Sequence, residues 1–297
     1  MHPTFSFYDL GQTIEPMREE NTPSLQHILV ALDGSPHSQA ALDAAVRLAA
    51  TVEAEVEGLF VEDETLRRAA QLPFAQEVRA YTAAPKRLSD QRLQRQLRYR
   101  AEYAKHTLQR MAEQADVPYA FRTVEGHVTQ ELLRAAAETD LLILGKTSTA
   151  GSRRRLGSTS RTLLSDAPSS VMVLRKTVPA QQPLLLYYDG SDAAETALAL
   201  AVQVSHRAGG TPIQLLLPPP DPDADLEHLR EQIRTRYGHV GVPLHEHQLT
   251  SAESHRLSAF AREKEGLVLL PAGCPPLCST SWQQFLYELD RPLLVVR

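Results

Sequence analysis

Along this chain, compact runs of aliphatic residues alternate with stretches in which apolar positions recur every three or four residues. The first kind predicts buried strands and the second amphipathic helices. Ile28 to Leu32 is the first run, and it stops on Asp33, Gly34 and Ser35. That reads as a short parallel strand ending in a carboxylate at a strand–helix turn. Pro36 suits the first turn of the next helix, where its missing N–H is no loss. Residues 38–51 predict an Ala/Leu/Val helix, and 52–61 a second strand ending in Glu62 and Asp63. Residues 64–86, with Pro73 and Pro85, predict an excursion over the top of the sheet rather than a core element. A long helix follows over 88–115, apolar at 93, 97, 104, 108 and 111. Its Arg- and Gln-rich remainder fits plain amphipathic packing better than a nucleic-acid stripe. A strand over 119–125 comes next, then a helix over 128–138 with Gly126 or His127 near its start. The strand 141–144 ends at Gly145, a helix starts at Gly157–Ser158 and runs through Asp166, and the strand 171–174 closes the unit. Alternation of strand and helix, with central strands apolar throughout, indicates a parallel sheet covered by helices on both faces.

The same pattern then returns. Asp189, Gly190 and Ser191 repeat Asp33, Gly34 and Ser35 at an offset of 156, and Ala197, Leu198, Ala201 and Val202 repeat Ala41, Leu42, Ala45 and Val46 at the same offset. The closing RPLLVVR matches SSVMVLR at an offset of 122, so the second unit is 34 residues shorter. Its strands are expected at 184–188, 213–217, 244–249, 267–270 and 293–296, its helices at 193–208, 224–237, 253–265 and 280–289. An internal duplication is the economical reading. It divides the chain into an extension over 1–24, which shows neither period, a first domain over 25–176 and a shorter second domain over 177–297.

Composition narrows the function classes. A chain of 297 residues that is 42% hydrophobic and 23% charged is that of a soluble globular protein. A net charge of −5 gives no global field to draw nucleic acid or an anionic membrane, Arg153, Arg154 and Arg155 being a local exception. No apolar run approaches a bilayer span, and the first residues lack the basic and apolar regions of a signal peptide. Two cysteines cannot make a disulfide framework, so a reducing cytoplasm is expected.

With VALDGSPHS at the first strand, LFVED at the second, DLLILG at the fourth and GSTSRTLLSDAPSSVMVLR at the end, the chain resembles a tandem universal stress protein. The resemblance implies α/β architecture: two doubly wound five-stranded parallel sheets of order 3-2-1-4-5, with a ligand crevice where the order reverses. It further implies that the last strands of the two units, 171–175 and 293–297, pair antiparallel as an internal pseudo-dimer, each covering the other's open edge. Nucleotide-binding members carry G-2x-G-9x-G-[ST] after strand four, where backbone N–H groups and a helix N-terminus take phosphates and ribose. Here Gly145 matches the first glycine and Gly157–Ser158 the final pair. Ser148 (Thr147 if gapped otherwise) stands at the middle glycine, the loop is one residue short, and Gly151 sits mid-loop. A Cβ resists the positive φ that glycine permits. The resemblance thus implies an adenine nucleotide, ATP or another, with or without Mg, in the first unit. Asp33, with Gly34 and Ser35, would meet the ribose or adenine side, the Val61 backbone the adenine, and Ser158 and Thr159 a phosphate.

The second unit runs from its fourth strand into Pro271, Ala272, Gly273, Cys274, Pro275 and Pro276, with no G-[ST] pair. Proline offers no N–H, so Asp189–Gly190–Ser191 reads there as an inherited cap. Other candidates have bland counterparts. Arg153–Arg155 reads equally as phosphate-neutralising or as a solvated loop. Cys274 and Cys278, spaced C-x3-C with no second pair, favour silent thiols over zinc. His245 and His247 share a face of one strand without an evident third ligand, and His27, His37 and His127 form no catalytic spacing. Neither a G-x-S-x-G elbow, a Walker motif nor HExxH occurs. These readings favour a stress-response nucleotide-binding protein with one site, in the first unit, and little or no catalysis. A non-nucleotide signalling or scaffold module is the alternative, and a slow ATPase or nucleotidyl transferase the third reading. A homodimer or signalling partner is compatible with each.

Overall fold

The computed structural model describes residues 25–71, 76–79, 82–87, 90–145, 157–174, 182–219, 226–250, 266–274 and 291–297. Chain order begins β1 (His27–Leu32), α1 (Pro36–Val52), β2 (Glu55–Asp63), α2 (Glu64–Gln71), β3 (Gln76–Arg79), β4 (Thr82–Arg87) and α3 (Asp90–Gln114). It continues with β5 (Tyr119–Gly126), α4 (Val128–Ala136), β6 (Leu141–Gly145), α5 (Ser158–Asp166) and β7 (Ser170–Leu174). Then come β8 (Leu184–Tyr187), α6 (Asp192–Arg207), β9 (Ile213–Leu217), α7 (Leu226–Tyr237), β10 (Leu244–Gln248), β11 (Leu267–Pro271) and β12 (Leu293–Val296). The expected helices over 253–265 and 280–289, and the extension over 1–24, lie outside the described residues.

Ten strands form one sheet in the order β10-β9-β8-β11-β12-β7-β6-β1-β2-β5, and β3 and β4 form a separate antiparallel hairpin. Outward from its middle, each arm of the sheet runs fifth, fourth, first, second, third by its own chain order. Every pairing within an arm is parallel. The arms meet at β12 and β7, which run antiparallel with Leu293 opposite Val173, Leu294 opposite Met172 and Val295 opposite Val171. This is the pairing expected of the two closing strands, and it makes the sheet continuous where two sheets were expected. Arg297 fastens the joint: its N–H donates to Ser170 Oγ at 3.2 Å, and its guanidinium donates to the carbonyls of Leu164, Ser165 and Ser169 at 2.7, 3.0 and 3.1 Å. Burial lowers its pKa from the ordinary arginine value.

Strand alternation sorts the core into two layers. Ile28, Val30 and Leu32 pack with α1, α3 and α6 on one face, whereas Leu29 lies with Leu59, Leu142, Leu144, α4 and α5 on the other. Both layers are mainly aliphatic, as a sheet buried on two faces requires, with Phe60, Tyr187, Tyr188 and Tyr237 as their buried aromatics. The start of β1 is fixed by Asp140, whose carboxylate accepts the N–H groups of Gln26 and His27 at 2.8 and 2.9 Å. Of the α3 positions picked out by the spacing, Leu93, Leu97, Ala104 and Leu108 are buried and Met111 is partly buried, and Ala101 and Ala112 join them.

Residues 64–86 differ from the expected excursion. Asp63 Oδ1 accepts the Thr65 N–H at 2.8 Å and turns the chain directly into α2. That helix buries Ala70 in the same core layer as α3, so this part of the segment does contribute to the core.

Candidate functional site

At the carboxyl end of β1 the chain turns into α1 through three residues, each with a separate task. Asp33 Oδ1 accepts the Ser35 N–H at 2.8 Å. Gly34 stands at φ +73°, a conformation an L side chain rarely adopts. Ser35 is the N-cap of α1, its Oγ accepting the Ser38 N–H at 3.2 Å, with Pro36 in the first turn. Asp33 is exposed at the rim.

The neighbouring strand β6 ends on Gly145 for a packing reason rather than a torsional one. A Cβ there would lie 2.4 Å from the carbonyl carbon and oxygen of His37 and 2.8 Å from Ser38 N. The first turn of α1 therefore sits on the end of β6, and the structure brings Asp33–Ser35 and Gly145 together. The crevice between these strand ends lies where the sheet order reverses. On the α4/α5 face beside it, Ala31, Val61, Val124 and Val128 are only partly buried.

Among the described residues, helix α5 starts after Gly157 without a side-chain cap, whereas Ser35 caps α1 and Ser191 caps α6. An uncapped N-terminus leaves donors and the positive dipole end available to an anion. Ser158 is exposed beside these donors, and Thr159 Oγ1 lies 3.1 Å from Thr129 Oγ1, tying α5 to α4. Thr129 was not singled out from the sequence, and no spacing there would have indicated it. Ser148 and Arg153–Arg155 lie outside the described residues.

The corresponding turn after β8 has the same geometry and different surroundings. Asp189 Oδ1 accepts from Ser191 N at 3.1 Å, Gly190 has φ +77°, and Ser191 caps α6 through Ala194 N. At the place of Ala31, however, stands Tyr187, 2% exposed and packed with the buried Cys274 in the same core layer. Burial, with Asp189 and Cys274 nearby, pushes its phenol well above the usual tyrosine range. At the place of Gly145 stands buried Pro271. Tyr188 hydrogen-bonds Glu195, which also accepts from Arg236 at 2.7 Å. Burial, the Glu195 hydrogen bond and the Glu195 charge raise the Tyr188 pKa, and burial with the Glu195 charge pushes Tyr237 up to about 12.

The remaining candidates scatter. His245 and His247 lie on the edge strand β10, while Glu246 between them accepts from Arg230 at 3.1 Å. His27 pairs with Glu55 at 2.6 Å across β1 and β2, and His127 is the N-cap residue of α4. Cys278 lies outside the described residues. Among the described residues, no three His, Cys, Asp or Glu side chains gather in a metal-binding group, and no helix is long and apolar enough to cross a membrane.

A model of the universal stress protein family matches residues 24–175. Among solved structures, a universal stress protein from Archaeoglobus fulgidus DSM 4304 is 17% identical, covers 91% of this chain and 98% of its own, and superposes with a TM-score of 0.69. A functionally unknown protein from Pseudomonas aeruginosa PAO1 is 14% identical over 92% of each chain, with a TM-score of 0.58. Both share the fold. No curated protein matches this chain.

Proposed function

The chain belongs to the universal stress protein family, and on that premise we propose that it is a stress-response protein binding one adenine nucleotide, in the crevice of its N-terminal half. The observation that carries this reading is the exchange of Ala31 for Tyr187 at equivalent positions beside the two strand–helix turns. The small residue leaves the N-terminal crevice with partly buried apolar walls at Ala31 and Val61, suited to a planar base. The uncapped start of α5, with Ser158 and Thr159, would receive phosphate, and Asp33 at the rim would face the ribose or adenine side. In the C-terminal half the buried Tyr187, Pro271 and Cys274 stand at or beside the equivalent positions, which supports a closed crevice there.

The repeated strand order supports two tandem domains, 25–176 and 177–297, held as an internal pseudo-dimer by the β7–β12 pair. The second domain then serves as a structural or regulatory partner of the first. Little or no catalysis is expected, because the sequence carries none of the nucleophile-elbow, Walker or zinc-protease motifs. A cytoplasmic location fits the paucity of cysteine.

One observation favours the second reading, a scaffold without nucleotide: Asp33 already serves its own turn, as Asp189 does in the C-terminal half. Equilibrium dialysis with radiolabelled ATP separates the two readings. At physiological ionic strength, which screens an open arginine cleft, wild type should bind one tight equivalent, and Ala31→Tyr should lose that tight equivalent with unchanged far-UV circular dichroism. Absence of binding by wild type, together with no nucleotide released on denaturation as read by mass spectrometry, would favour the scaffold.

A further inference from the structure

On the face of the sheet away from that crevice, α1 and α3 enclose a cleft of about 690 Å³. Its long wall is one side of α3, where Arg92, Arg95, Tyr99, Arg100 and Tyr103 line it, and its end is the first turn of α1. The cleft is held in shape from both sides. Gln39 Nε2 donates to Tyr103 Oη at 3.0 Å, and the Cβ and Cγ of Arg100 lie 3.5 Å from where a Gly34 Cβ would stand.

Among the described residues no carboxylate pairs with Arg92, Arg95 or Arg100; Arg95 Nε donates only to the Gln91 carbonyl, at 3.3 Å. The first turn of α1 carries no acidic residue, and the one carboxylate at that helix start, Asp33, is engaged by the Ser35 N–H. Tyr99, 73% exposed, presents its ring beside these cations.

The equivalent place in the C-terminal half is closed and neutralised. Leu229 of α7 crowds Gly190 so closely that a Cβ there would sit 2.5 Å from its Cδ2. Arg230 is paired with Glu227 and Glu246, Arg236 with Glu195, and the first turn of α6 carries Asp192 and Glu195. Among the described residues, the arginines that line the N-terminal cleft thus have no acidic partner, whereas Arg230 and Arg236 of α7 do.

We infer that the α1–α3 cleft is an anion site for a ligand carrying two or more linked phosphate groups. Guanidinium groups take phosphate oxygens in pairs of parallel hydrogen bonds, and a field of three such groups suits a polyanion better than a single carboxylate. The phosphates could belong to an inorganic oligophosphate or to the chain of a nucleotide, whose base or sugar would lie on Tyr99. The inference does not depend on the crevice reading, because none of its residues but Gly34 belongs to that site.

Titration calorimetry of the full chain with inorganic tripolyphosphate at low ionic strength tests it. Wild type should bind. Arg92→Gln/Arg95→Gln/Arg100→Gln should weaken binding tenfold or more, and the corresponding triple lysine variant should recover most of it. Arg98→Gln/Lys105→Gln/Arg110→Gln, an equal change of charge on exposed positions of the same helix, should stay within twofold of wild type. No binding by wild type, or an equal loss in both glutamine triples, overturns the inference. The source of the phosphates is read by ATP in the Ala31→Tyr background. Binding weakened by Tyr99→Ala assigns a nucleotide, and binding indifferent to Tyr99→Ala assigns the phosphate chain alone; either result supports the site.

Discussion

The turn after β1 and the turn after β8 are nearly the same object. In each, an aspartate accepts the N–H of the serine two residues on, a glycine takes φ of +73° or +77°, and that serine caps the following helix. The surroundings diverge. Around the first stand Ala31, Gly145 and the aliphatic stem of Arg100; around the second stand Tyr187, Pro271 and Leu229. The turn is therefore explained by the chain reversal it performs, and conveys nothing about ligand by itself. Whether a ligand has room is decided by side-chain volume one or two residues away.

The largest expected effect that separates the halves is alkaline unfolding. Tyr187, Tyr188 and Tyr237 are all buried in the C-terminal half and all hold their protons above the ordinary tyrosine value. The folded state keeps a proton that the unfolded chain releases near pH 10. Stability is therefore full below about pH 10 and falls as pH rises, by roughly 1.4 kcal/mol per pH unit for each tyrosine in play. The aligned N-terminal positions Ala31 and Leu32 cannot titrate. Hydrogen exchange between pH 9 and 11 should show β8–β10 and α6 opening first; uniform opening of both halves would break the comparison.

Next comes Gly145→Val, which forces a branched side chain onto the His37 backbone and should cost about 3 kcal/mol, read by urea denaturation. A cost below about 1 kcal/mol would show that α1 can shift off β6. Tyr188→Phe removes one buried hydrogen bond but leaves Glu195 paired with Arg236, and should cost about 1 kcal/mol. Smallest and most informative is the pair Asp33→Ala and Asp189→Ala. Each loses one turn hydrogen bond and should cost about 1 kcal/mol or less. Only Asp33→Ala should also weaken ATP binding.

Much of the architecture is legible in the residues. The repeat of Asp-Gly-Ser with its following Ala/Leu/Val positions locates both first strands and their helices, because the capping turn and the buried helix face are written in local chemistry. The short aliphatic runs mark the inner strands for the same reason. Helix α2 is not legible as a core element: it is polar, flanked by Pro73, and its only buried residue is Ala70, whose burial depends on α3. Nor is the burial of Tyr187 beside the C-terminal turn. The run LLLYYDG announces a strand, but only the layer assignment shows that Tyr187 points where Ala31 does. The cationic cleft is hidden for a related reason. The arginines of α3 read as an ordinary solvated face until the structure shows that, among the described residues, no acid pairs with Arg92, Arg95 or Arg100.

The central claim, one open nucleotide crevice and one filled, is tested most directly by photolabelling the intact protein with an azido-adenine nucleotide and mapping the modified peptides by mass spectrometry. The account predicts that, of the two crevices, only the N-terminal one is labelled, on peptides around β1, β2 and the start of α5, and that ATP competes this label away. Competable label around β8 or the segment after β11 would contradict it.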